Sequence, residues 1–169
     1  VGVYPLDADQ ALTAAILHDV AKDLPERCLR GLARQAGLAF QHPAEMHPMY
    51  LHAPVSAYLA RRDLGVTDEI ILGAIAAHSH VGQPRYVDIP LTWCLRFADV
   101  LAPTNPWPGE EKLRETVYQG RLHEGALLLT YWLIEWLEWH GIPVHPQILE
   151  TRERLADAVP VGERFFERA

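Results

Sequence analysis

Side chains able to do metal chemistry recur in this chain, each set in an apolar stretch. His18 and Asp19 sit inside Ala14–Pro25, a mostly apolar run. A buried imidazole or carboxylate is costly without a partner. A divalent metal ion satisfies both, because imidazole nitrogen and carboxylate oxygen each ligate such ions. Lys22 stands four residues after His18 and three after Asp19, so on a helix it shares their face. A cation beside a metal site implies an anion there too, such as phosphate. His52, His78 and Asp99 occupy similar settings: Tyr50-Leu51, Ile75-Ala76-Ala77, and Leu95 through Ala98. Taken singly, each is better explained as a helix cap or a hydrogen-bonded core residue. Taken together, side chains from separate helices of a bundle can meet at one interior site. Asp19 is the best bridge between two metals, since a carboxylate has two oxygens and an imidazole one lone pair. A mixed nitrogen and oxygen shell suits iron(II), manganese or zinc better than magnesium. Two such ions can hold one phosphate and lower the pKa of a bound water.

Helices must position these residues. Asp7 and Gln10 read as a capping-box-like start to a helix reaching about Lys22. Asp23-Leu24-Pro25 reads as a cap and first-turn proline opening a second helix that Gly37 stops. Leu38 to Met49, with His42-Pro43 and His47-Pro48, reads as a loop. Further helices are expected over about Tyr50–Leu64 (closed by Gly65), Thr67–Ala77 and Pro90–Leu101. Others follow over about Glu110–Tyr118, Leu122–His140 and Pro146–Ala158, with proline- and glycine-containing connections between them. No alternating run is long enough for a sheet. The fold class is all-α, a single-domain helical bundle spanning residues 1–169.

Composition bounds the function. The chain has 169 residues, 49% hydrophobic and 22% charged, with formal net charge −7. That acidity argues against broad nucleic-acid or anionic-membrane binding and leaves room for a small anionic substrate. Cys28 and Cys94 lie far apart without a CxxC, as expected of free structural thiols in a cytoplasmic protein. No apolar run has transmembrane length. The first residue is Val1 rather than Met, consistent with a piece of a longer protein. His42, His47, His123 and His140 lack supporting spacing and read as surface or capping residues, and His145 as fixing the terminal turn. Trp132, Trp136 and Trp139, at three- and four-residue spacing, read as core or dimer contact.

These residues resemble a known group, the HD-superfamily metal-dependent phosphohydrolases, and within it the YqeK-type symmetrical bis(5′-nucleosyl)-tetraphosphatases. Leu17-His-Asp-Val-Ala-Lys-Asp-Leu-Pro25 matches the motif that names the superfamily. Leu51-His-Ala-Pro-Val-Ser-Ala-Tyr-Leu-Ala60 is similar to the second histidine block, Ile75-Ala-Ala-His78 to the third, and Phe97-Ala-Asp99 to the closing aspartate. Pro108-Gly109 with Leu113-Arg114, and His145-Pro146 with Arg152, resemble downstream landmarks. The similarity runs from about Leu12 to about Arg154.

The resemblance implies a helical HD-type domain. It implies His18, Asp19, His52, His78 and Asp99 as ligands of two divalent ions, iron above all, with manganese, cobalt or zinc as alternatives. It implies Lys22 as a phosphate contact that stabilises charge in the transition state, and Asp23 as a neighbour of the reacting phosphate. The implied reaction is hydrolysis of diadenosine tetraphosphate to two ADP. Two rivals stay open: a nucleotidase acting on nucleoside monophosphates, and a non-catalytic nucleotide-binding module. Three departures stand out. The family has a further histidine ligand on an earlier helix, whereas no histidine precedes His18. Either that helix lies upstream of Val1 or one metal is incompletely held. The usual Gly-Arg-Pro is here Gly82-Gln83-Pro84, and the usual Glu-Pro-x-Arg is Ala102-Pro103-Thr104-Asn105. His80, Gln83, Arg85 and Trp107 are therefore the candidate substrate contacts beside Lys22, Arg85 or His80 standing in for a lost arginine and Trp107 touching a nucleobase. A homodimer is the expected partner besides the nucleotide.

Overall fold

The computed structural model describes residues 3–79, 89–103 and 109–160. Among them are eight α-helices, one 3₁₀ turn and no strand. In chain order the helices are α1 (Ala8–Leu17), α2 (Glu26–Gln35), α3 (Pro48–Leu64), α4 (Glu69–Ala77), α5 (Pro90–Val100), α6 (Glu110–Tyr118), α7 (Leu122–Trp139) and α8 (Pro146–Ala158). The expected helices are all present. No described helix is long and apolar enough to cross a membrane.

Local chemistry sets most boundaries. Asp7 accepts from the Gln10 N–H to start α1, and Asp68 accepts from the Ile70 and Ile71 N–H groups to start α4. Gly65 ends α3 at φ 69°, a left-handed conformation that costs glycine little. The stretch read as a loop before α3 holds a 3₁₀ turn, Pro43–Met46, and α3 begins at Pro48, two residues earlier than expected. The cause is a device used three times. His42, His47 and His145 each precede a proline, and each Nδ1 accepts the backbone N–H two residues on, at 3.1, 3.2 and 3.2 Å. An imidazole nitrogen thus does the work usually given to a serine or aspartate oxygen.

Two expectations at the first connection are corrected. α1 stops at Leu17 rather than near Lys22, and His18 to Leu24 continue as successive tight turns. The cause is tertiary: Ser56 Oγ on α3 accepts the Ala21 N–H at 3.1 Å, a bond that an α-helix would give to Leu17. Asp23 does not cap α2, whose N-cap is Pro25 with no side-chain hydrogen bond.

Three apolar clusters carry the packing. One joins α1 and α4 to α5 through Ala14, Ile71, Leu72, Ile75, Leu91 and Leu95. A second holds the His18–Leu24 turns and α2 against α3 through Ala21, Leu29, Ala33, Leu51 and Val55. The largest packs α5 and α6 onto α7 and α8 around Trp93, Phe97, Leu113, Leu127 and Leu137. Gly125 lets α7 approach closely, since a Cβ there would sit 3.0 Å from Val117 and 3.3 Å from Phe97. The tryptophan stripe of α7 divides. Trp132 packs on the core, whereas Trp136 and Trp139 are exposed, Trp139 by 88%.

Candidate metal centre

Four helices deliver five polar side chains to one place. His18 is the C-cap of α1 and His78 the C-cap of α4. The carbonyl ends of two helices therefore face the site, an arrangement that favours cations. His52 comes from the second turn of α3, between core residues Leu51 and Val55, and Asp99 from the last turn of α5. Asp19, in the turn after α1, lies at the centre.

The distances are those of a shared coordination shell. Asp19 Oδ1 is 3.3 Å from His52 Nε2 and 3.2 Å from His78 Nε2, and the two Nε2 atoms are 3.1 Å apart. Ligand bonds of about 2.0–2.2 Å separate neighbouring donors by about 2.8–3.1 Å at octahedral angles and about 3.3–3.6 Å at tetrahedral ones. Asp19 Oδ2 is 3.4 Å from His18 Nε2, which lies 3.9 Å from Asp99 Oδ1. His18, Asp19 and His78 can each aim a donor atom at one ion, all within 4.8 Å of one another.

The outer contacts orient the rings. His18 Nδ1 donates to Ala15 O at 2.8 Å, His52 Nδ1 to Pro48 O at 3.2 Å, and His78 Nδ1 to Ile75 O at 2.7 Å. Each ring gives its Nδ1 proton to a carbonyl of its own helix and turns Nε2 toward the centre. This is the pattern by which metal-binding histidines are held in one tautomer.

Electrostatics agree with an electron-rich pocket that draws cations. Burial pushes the Asp19 carboxyl up, but hydrogen bonds from His18, His52, His78 and Lys22 outweigh it and hold the group well below the carboxylate range. Burial likewise raises Asp99, yet the His18 hydrogen bond and the charges of Arg96, Lys22 and His78 bring it down to about 2. His18, hydrogen-bonded to Asp19 and then to Asp99, is raised to about 10. His78 is lowered, because burial disfavours its charge. His18 thus carries a positive charge beside the two carboxylates, and a divalent ion held there would compete with its proton.

Lys22 stays beside the centre although α1 ends early, its Nζ on Asp19 Oδ2. Asp23 is exposed and takes no part in the cluster. His80, Gln83, Arg85 and Trp107 lie outside the described residues. Sequence reasoning passed over two residues. Ser56 pins the His18–Leu24 turns through Ala21 N–H, and Arg96 interrupts the apolar stretch before Asp99, placing NH1 2.8 Å from Asp99 Oδ2. The signal for Arg96 was present as a cation three residues ahead of a carboxylate on one helix.

Comparison with known proteins places this geometry. Residues 1–104 match the HD domain family. The chain is 32% identical over 153 residues to the symmetrical bis(5′-nucleosyl)-tetraphosphatase of Halalkalibacterium halodurans, covering 90% of this chain and 79% of that protein. It is 35% identical over 112 residues to the protein of the same name from Bacillus subtilis, covering 66% and 58% respectively. A crystal structure from Clostridium acetobutylicum, described as a predicted HD superfamily hydrolase involved in NAD metabolism, superposes with TM-score 0.83 at 25% identity. That match covers 94% of this chain and 82% of the other. A helical bundle that gathers the His-Asp pair, two further histidines and a late aspartate around one point, with these relatives, belongs to the HD domain family.

Proposed function

We propose that this HD-domain phosphohydrolase cleaves a phosphoanhydride of a dinucleoside polyphosphate, diadenosine tetraphosphate first among them, releasing two nucleoside diphosphates. The observation that carries the reading is the triangle of His52 Nε2, His78 Nε2 and Asp19 Oδ1, with edges of 3.1 to 3.3 Å, each ring locked through Nδ1. Its donor set suits a divalent ion. His18, Asp19, His52, His78 and Asp99 would hold two such ions, iron(II) being the expected metal, with Asp19 shared between them. When bound, the ions supply Lewis acidity and lower the pKa of water.

The chain's own groups then divide the work. Asp19 lies within 3.4 Å of three imidazole Nε2 atoms and accepts from Lys22, so it sits at the middle of the cluster. Lys22, half exposed beside it, offers an ammonium to phosphoryl oxygens whose negative charge grows in the transition state. The symmetrical product follows the names of the relatives.

The test is product analysis. Metal-stripped protein reloaded with iron(II), manganese or cobalt is incubated with diadenosine tetraphosphate and the products are separated by ion exchange. Two ADP per substrate is the expected result. Nucleoside and free phosphate from nucleoside monophosphates would favour the nucleotidase. Tight nucleotide binding without turnover under any metal would favour the non-catalytic nucleotide-binding module.

A further inference from the structure

We propose that Arg96 is a positioning residue for Asp99, tying up one carboxylate oxygen so that the aspartate meets its metal through Oδ1 alone. The inference rests on the metal reading above. Arg96 NH1 lies 2.8 Å from Asp99 Oδ2, while Oδ1 of the same carboxylate faces His18 Nε2 at 3.9 Å. The two oxygens therefore have separate assignments.

Arg96 is an expensive way to achieve this. Its side chain is 13% exposed, its Nε is buried with no hydrogen-bond partner, and Asp99 is its hydrogen-bond acceptor among the described residues. A guanidinium carries five N–H donors, and burying its Nε without an acceptor costs stability. Asp99 stands in the last turn of α5 with its carboxylate about a quarter exposed, and His18 faces it on Oδ1 only. Without Arg96, Oδ2 would be free to turn toward the ion site. With it, the group is restrained on one side, as ligating carboxylates commonly are by an outer hydrogen bond.

Charge and geometry make opposite predictions, which is what makes the proposal testable. A guanidinium this close repels a divalent cation, so deleting it would tighten metal binding if charge were all that mattered. If it positions Asp99, deleting it weakens binding. The probe is cobalt(II) titrated into metal-stripped full-length protein, followed by calorimetry and by visible absorption, which reports coordination number. Arg96→Met removes both charge and donors; Arg96→Lys keeps the charge and one donor. We expect Arg96→Met to bind about ten- to hundredfold more weakly. Its cobalt bands should fall in intensity as the carboxylate turns bidentate, and Arg96→Lys should recover part of both. Thermal melts of the metal-free variants separate these effects from misfolding, and Arg96→Gln, which removes the charge, carries the test if Arg96→Met does not fold. Arg96→Met (or Arg96→Gln in its place) with wild-type or tighter affinity and an unchanged spectrum overturns the positioning role and leaves the metal centre intact. Wild-type protein that binds no cobalt overturns the metal reading and this inference with it.

Discussion

Replacing Asp19 by asparagine tests the centre most directly, because it keeps the shape of the side chain and removes its charge. Asp19 accepts from Lys22 and from protonated His18, and the Nε2 atoms of His52 and His78 also face it. Hydrogen bonds to a charged group are worth about 1.5–3 kcal/mol each, but these two share one carboxylate. Its side chain is also 25% exposed, so solvent screens part of the gain. A loss of about 2–3 kcal/mol in the metal-free protein is the expected sum. For a chain of this size that lowers the melting temperature by about 4–12 °C. The catalytic loss is larger. On the proposed assignment of Asp19 to two ions, removing its charge forfeits about 4 kcal/mol of transition-state stabilisation, or about a thousandfold in rate. The assay pairs elemental analysis of metal per chain with chromatographic release of ADP from diadenosine tetraphosphate, beside a thermal melt with chelator present. Full metal content and turnover within about threefold of wild type would refute the assignment of Asp19 to the centre. A collapse of activity with unchanged metal content would refute its role as a ligand but not its place near the substrate.

Three further outcomes are expected. Chelation should lower the melting temperature of metal-loaded protein by roughly 5–11 °C if the ion was present at about a hundred times its dissociation constant, a stabilisation of about 2.7 kcal/mol; no shift on adding or removing any divalent ion would count against a metal site. Ser56→Ala strands the buried Ala21 N–H, so stability should fall by about 1–3 kcal/mol in a denaturant melt, and metal affinity should fall with it because the His18-Asp19 turn loosens. Burial pushes the Cys94 thiol up to about 11 while Cys28 is exposed, so iodoacetamide at pH 8 should label Cys28 and spare Cys94 in a mass-spectrometric time course. Because the Cys94 pKa is raised in the fold, the unfolded chain ionises first; this contribution to stability is intact below the ordinary thiol pKa and is lost as pH climbs from about 9 toward 11.

Much of the architecture was readable from local signals. Asp7, Asp68, Gly65 and the prolines at 90 and 146 mark helix ends through backbone chemistry that neighbouring residues decide. The five side chains at the centre were readable as a set because each places a polar group in an apolar run. What sequence could not disclose depends on partners distant along the chain. α1 ends at Leu17 because Ser56, on another helix, takes the Ala21 N–H, and nothing near Ala21 announces this. The histidine caps were missed for a different reason. Histidine is a poor capping residue in general, and only the proline that follows each one hints that its Nδ1 faces the incoming helix. Arg96 was overlooked because an apolar reading of Leu95 through Ala98 absorbed it.

Those proline-linked histidines divide the imidazoles of this chain into two chemical populations. His42, His47 and His145 must leave Nδ1 bare to receive a backbone proton, whereas His18, His52 and His78 donate from that same atom. Nitrogen chemical shifts would sort the two groups in a single spectrum.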